Sequence, residues 1–118
     1  KRIGTANFDA TVPLLMNIPS SYWAFANAYK PVSVAAKLSL PILILQGERD
    51  YQVTMEDYGL WRTGLIRHKN VYFKSYPKLN HLMQEGSGKS VPAEYSQPSS
   101  IPDYVVNDVA SFVRHKNL

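Results

Sequence analysis

Leu40-Pro-Ile-Leu-Ile-Leu-Gln-Gly-Glu-Arg-Asp50 is the stretch that decides how this chain folds. Pro41 can open a strand but cannot donate inside a central one. Ile42, Leu43, Ile44 and Leu45 then form an unbroken apolar run, the pattern of a strand covered on both faces. Such a run points to a parallel sheet. Gly47 ends the strand in a turn and delivers Asp50 to the loop at its carboxyl end, where open α/β sheets place their ligands and their chemistry. A second strand-like run, Asn70 to Tyr76, stops at Pro77 and leads to His81 in the next loop. An acid and a histidine thus leave the same edge of one sheet.

The connection between the two runs reads as a helix. Thr54 offers an N-cap hydroxyl, Glu56 and Asp57 put negative charge in the first turn, and Tyr58, Trp61 and Leu65 form a buried stripe that Arg67 and His68 close. Strand, helix and strand in this order predict a right-handed crossover between parallel strands. In the second strand Val71, Phe73 and Ser75 alternate with Tyr72, Lys74 and Tyr76, so it should be less completely covered than the first and lie near a sheet edge.

Outward from this core the patterns are shorter. Residues 1 to 19 are mixed, with Pro13 and Pro19 bracketing Leu14 to Ile18, and read as a connector or short helix. Ser20 or Ser21 caps a helix whose face carries Tyr22, Phe25, Ala26 and Tyr29, and Pro31 opens a second short helix with Val34, Ala35 and Leu38 on its apolar side. Residues 82 to 100, rich in Gly, Ser and Pro, read as a long structureless loop and a candidate pocket rim. Ser100-Ile-Pro-Asp103 has capping-box spacing, and Val105, Val109, Phe112 and Val113 then mark a terminal helix of about 13 residues packed on the sheet.

Composition narrows the classes. The chain has 118 residues, 45% of them hydrophobic and 12% aromatic, which fits one globular domain at most. Zero cysteines exclude disulfides, thiolate metal sites and a cysteine nucleophile within these residues, and leave the redox compartment undecided. No apolar run approaches the roughly 20 residues that span a bilayer, and Lys1-Arg-Ile-Gly4 is not followed by a signal-type apolar core. The chain reads as soluble, with no membrane partner and the cytoplasm slightly favoured. It opens on Lys1 rather than methionine, so the numbering is expected to start inside a longer natural chain or after processing. The net charge of +4 is spread over Lys30, Lys37, Arg49, Arg62, Lys74, Lys78 and Lys89 among others, without the stripe expected of a nucleic-acid surface.

The chemistry rests on the pair. A carboxylate at one strand tip can accept Nδ1–H from an imidazole at the next, fix its tautomer, and stabilise the cation formed when Nε2 takes a proton. An acid followed by a histidine is the chain order of α/β-hydrolases, where the serine comes first. Other signals are duller. Gly86-Ser-Gly-Lys-Ser90 has the end of a phosphate-binding loop, but Met83 stands where its first glycine belongs, and Val91-Pro92 does not start a helix. Ser87, flanked by glycines, follows the histidine and lacks a preceding strand, which disqualifies it as a nucleophile. His68 and His115 fall in last helical turns without a second ligand at metal spacing. Tyr51 and Gln52 read as packing and turn residues, while Leu82 and Met83 either line an acyl pocket or bury the loop.

Taken together, Pro41 to Val53, Asn70 to His81, and Glu85-Gly-Ser-Gly-Lys-Ser90 with Pro92-Ala-Glu-Tyr95 resemble the C-terminal part of bacterial α/β-hydrolase-fold proteins of the dienelactone hydrolase and acyl-peptidase-like esterase group. The resemblance runs from about Tyr29 to the end. It implies an α/β architecture in which residues 1–118 are the C-terminal portion of one α/β-hydrolase domain. Residues 1–38 would form a helical connector or the tail of a cap. Residues 39–118 would hold strands seven and eight, the acid and histidine loops and the last helix.

By the same resemblance Asp50 is the triad acid and His81 the triad base of a serine hydrolase acting on a small-molecule ester or acyl substrate, with no cofactor and no metal. No Gly-x-Ser-x-Gly occurs in these residues, so the nucleophile and the oxyanion donors lie outside them, and the piece alone is expected to be inactive. Two strands would also leave apolar surface and a free strand edge through which copies could associate as homo-oligomers. The rival readings are a non-catalytic interaction module of the same fold and the C-terminal part of a prolyl-oligopeptidase-like peptidase.

Overall fold

The computed structural model describes residues 18–116. The expectation for residues 1 to 17 lies outside them. Its frame is two parallel strands, β1 (Ile42–Gly47) and β2 (Val71–Tyr76), paired in register from Ile42 against Val71 to Gly47 against Tyr76. The crossover between them carries α3 (Met55–Gly64). Thr54 caps α3 as expected: its own N–H donates to the Asp57 carboxylate at 2.8 Å while its side chain answers the Asp57 backbone, the reciprocal arrangement of a capping box. Tyr58 and Leu65 are buried and Trp61 is half-buried, so the stripe faces inward.

Coverage of the sheet is thinner than the apolar run of β1 implies. Ile42 to Leu45 are half-buried, and only Gln46 and Gly47 are fully covered. The reason is geometric, because among the described residues β2 is the only strand paired to β1 and its other edge has no partner. In β2 the alternation holds: Tyr72 and Lys74 are exposed, Val71, Phe73 and Ser75 half-buried, and Tyr76 is buried at the carboxyl end.

Before the sheet come α1 (Ser20–Ala28) and α2 (Pro31–Ala35). Pro31 occupies the first turn of α2, where its missing N–H costs nothing, and the Val32 side chain lies directly over Gly64 of α3. Neither Ser20 nor Ser21 caps α1. Pro19 holds that place, and its carbonyl accepts the Tyr22 N–H at 3.0 Å. The aromatic face stacks on itself, with the Phe25 and Tyr29 rings 6.1 Å apart, and stays exposed.

The terminal helix, α4 (Asp103–Lys116), begins at Asp103 rather than after a Ser100 cap, with the Pro102 carbonyl accepting the Val105 N–H at 3.0 Å. Its apolar stripe is covered in part. Val105 joins Tyr76 and Leu79 in a small core, and Phe112 meets the Tyr72 ring edge-on at 5.6 Å, whereas Val109 and Val113 are exposed. Polar contacts fix the helix on the sheet: the Tyr76 hydroxyl donates to Asp108 at 2.8 Å, Lys74 reaches the same carboxylate at 2.6 Å, and Tyr104 donates to Glu85 at 2.9 Å. No described helix is long and apolar enough to cross a membrane.

Candidate active site

Both strands deliver their loops to one end of the sheet. After Gly47 the chain is held by the second strand and its loop, since the Glu48 N–H donates to the Tyr76 carbonyl at 3.0 Å and the Arg49 N–H to the Leu79 carbonyl at 2.9 Å. Buried Gln46 adds a side-chain tie, its amide donating to the Val53 carbonyl at 2.9 Å across the turn. Gly47 permits this closeness. A Cβ built there would stand 2.5 Å from the Leu79 carbonyl oxygen and 2.6 Å from that of Asn80.

Asp50 uses both carboxylate oxygens. Oδ1 accepts the N–H groups of Gln52 at 2.8 Å and Val53 at 3.0 Å, a local turn that aims the side chain, and Oδ2 lies 2.8 Å from His81 Nδ1. A carboxylate can only accept, so Nδ1 is the protonated nitrogen and Nε2 is left with its lone pair. No described residue hydrogen-bonds Nε2. The Asp50 side chain is 6% exposed and the His81 ring 39%, an oriented acid behind an accessible base. Burial works against the Asp50 charge. The Val53 N–H, His81 and the Gln52 N–H outweigh it and hold the carboxyl below the ordinary aspartate value.

His81 sits in a turn built by Asn80. The Met83 N–H donates to the Asn80 carbonyl at 3.0 Å, and the Asn80 side-chain oxygen accepts the Leu82 and Gln84 N–H groups at 3.0 and 3.1 Å. Met83 takes a left-handed backbone with φ of 57°, uncommon for a side chain of its size. Its side chain packs against Tyr76, Leu79 and Val105, so of the two readings of Met83 the loop-burying one holds, while Leu82 is exposed beside His81.

The loop from 82 to 100 is not structureless. Pro92–Ser96 forms a short 3₁₀ helix, and the chain before it wraps the buried Arg49 side chain. Arg49 Nε donates to the Gly88 carbonyl at 2.8 Å, and Nη2 donates to the Ser87 carbonyl at 3.2 Å and to Glu94 Oε1 at 2.6 Å. This disposes of the phosphate-loop likeness physically, because at Ser87 and Gly88 the chain turns carbonyls toward a cation rather than N–H groups toward an anion. Gly88 to Pro92 do form a rim, lining a cleft of about 650 Å³ with Arg49, Asp50 and Tyr51.

Tyr51 and Gln52 hold this loop as well: the Tyr51 and Tyr95 rings stack at 6.0 Å, and the Gln52 amide donates to the Tyr95 hydroxyl at 3.0 Å. Arg49 and Glu94 escaped the sequence reading. A charged residue directly before the acid in a strand-end loop was the available signal, since a buried guanidinium needs acceptors.

His68 lies apart from this end, taking the Asn70 N–H on Nδ1 with Nε2 placed 2.7 Å from the Leu38 carbonyl. His115 is exposed on α4. Among the described residues no group of three His, Asp or Glu side chains could hold a metal ion.

Comparison with known proteins matches no family model and no solved structure. Among curated proteins the chain is similar to Esterase EstD of Thermotoga maritima, 34% identical over 99 residues. The match covers 84% of this chain and 24% of the relative, so the chain spans about a quarter of the length of the curated protein it resembles.

Proposed function

We propose that these residues are the C-terminal portion of an α/β-hydrolase-fold serine hydrolase that cleaves carboxylic esters, with His81 as its general base and acid and Asp50 as the carboxylate that orients it. The observation that carries this reading is the 2.8 Å contact from His81 Nδ1 to Asp50 Oδ2 at the carboxyl ends of paired parallel strands. Similarity to a protein named as an esterase supports the substrate class. A serine from outside these residues attacks the ester carbonyl. His81 Nε2 takes the serine proton, and the imidazolium so formed is stabilised by Asp50. The same nitrogen then returns the proton to the departing alkoxide, releasing the alcohol and leaving an acyl-enzyme. In the second half His81 deprotonates the water that attacks that acyl group, and hands the proton back to the serine.

The test is turnover of a chromogenic acetate ester by the full-length protein. His81→Ala should lower kcat by about 10⁴-fold or more, as loss of a triad base does. Near-normal turnover in that variant would remove His81 from the chemistry.

A further inference from the structure

Asp50 and His81 are each preceded by a buried polar residue, and one carboxylate holds both. Glu94 Oε1 accepts from Arg49 Nη2 at 2.6 Å, and Glu94 Oε2 accepts from Asn80 Nδ2 at 3.1 Å. Arg49 is 8% exposed and Asn80 fully buried, so loss of Glu94 takes an acceptor from two donors that are nearly or wholly buried. Asn80 in turn carries the His81 turn through the Leu82 and Gln84 N–H groups, and Arg49 is joined by one peptide bond to Asp50. The two Glu94 oxygens thus repeat, one residue back along each loop, the bridge that Asp50 and His81 make. The carboxyl is held below the usual glutamate range. Partial desolvation opposes its charge, and the Arg49 and Asn80 hydrogen bonds outweigh that.

We infer that Glu94 is a positioning residue for the Asp50–His81 pair, its carboxylate setting the distance between the acid loop and the histidine loop by clamping Arg49 and Asn80. The inference rests on the catalytic reading of that pair. Its physical motive is the tolerance of such geometry, because a displacement of about 1 Å in a reacting group can lower a rate by roughly 10²-fold. Stacked Tyr95 and the Gln52 bond to its hydroxyl keep the Glu94 helix against the acid loop, so the clamp is braced from its own neighbour. Glu94 also borders a surface depression of about 370 Å³ with Arg49, Asn80 and Gln97, through which a small carboxylate can reach its place.

The full-length protein tests this with Glu94→Gln and Glu94→Ala, assayed on the chromogenic acetate ester beside His81→Ala. Glutamine keeps one acceptor and replaces the other with a donor, so one arm of the clamp opens. The expected result is a kcat lower by about 10- to 100-fold with KM within about twofold. The acid limb of kcat/KM should move to lower pH, because an imidazolium less firmly paired with Asp50 gives up its proton more easily. Added formate should restore part of the Glu94→Ala rate. A kcat and acid limb equal to the parent's would overturn the inference. A rate loss that only matches the fraction of unfolded protein, with the limb unmoved, would overturn it too. If Glu94→Gln does not accumulate folded, Glu94→Asp, too short to reach both partners, reads the same two quantities. Turnover surviving in His81→Ala would instead bring down the reading of the pair, and the clamp's role with it. Loss of turnover there, beside an unaffected Glu94→Gln, brings down the clamp alone.

Discussion

Asp50 gives one carboxylate oxygen to His81 at 2.8 Å and keeps the other for the Gln52 and Val53 N–H groups of its own loop. This division makes asparagine an informative replacement. In Asp50→Asn the amide oxygen can retain the two backbone N–H groups, which leaves the amide NH₂ facing the ring. Nδ1 must then accept, the proton moves to Nε2, and the ring can no longer take a proton from a serine. The full-length variant should lose about 10⁴-fold in kcat on a chromogenic ester, while its melting temperature at pH 7 falls only by what the ionised carboxylate contributed. Retention of more than a tenth of parental turnover would show that the carboxylate does not set the tautomer.

Gly47 makes a second, steric prediction. Its place 2.5 Å from the Leu79 oxygen, measured from a Cβ it does not have, is against backbone that cannot rotate away as a side-chain tip would. Gly47→Ala must push the histidine loop off the strand end or distort β1, at a cost of about 1 to 3 kcal/mol. Because Leu79 and Asn80 lead directly into His81, the same shift should lower kcat more than it raises KM. Thermal unfolding and steady-state kinetics on one preparation check both, and an unchanged melting temperature would mean the loop is free to move.

These two residues also mark what the sequence made legible. The apolar run into Gly47, the alternation of β2 and the Thr54–Asp57 cap are local patterns, and each appears where its spacing puts it. Asp50 and His81 could be paired because strand order alone brings their loops to one edge. Arg49 and Glu94 could not, since an ion pair across 45 positions between two loops follows no periodicity. The Gly, Ser and Pro content that made residues 82 to 100 look structureless instead suits a chain that must bend tightly around a guanidinium. A Cβ on Gly86 would collide with that group. For α4 the misplaced start has a similar cause: Pro102 supplies the first accepting carbonyl, and Ser100 lies too early to cap. Val109, Val113 and the α1 aromatics Tyr22 and Phe25 are exposed, so an apolar stripe at helical spacing did not by itself locate a covered face.

Acid should expose the same site. Asp50 has its folded-state pKa depressed below 3.8, because Val53, His81 and Gln52 prevail over the burial that works against its charge. Glu94 is depressed below 4.5 and Asp108 below 3.8, the latter through its bonds from Lys74 and Tyr76. A carboxyl whose folded value lies below its unfolded one contributes stability that is fully present above the unfolded value, and that fades as pH falls through the folded value. The stability these three carboxyls contribute to the full-length protein should therefore be complete above about pH 5, and fade as pH drops through 4.5 and then 3.8, where these groups take up protons in the unfolded chain. Asn at position 50 cannot titrate, so Asp50→Asn should show a shallower loss over the lower part of that window. Melting temperatures of the two proteins at pH 7, 5, 4 and 3 make the comparison. Parallel curves would mean that the Asp50 carboxylate gains nothing from its three hydrogen bonds on folding.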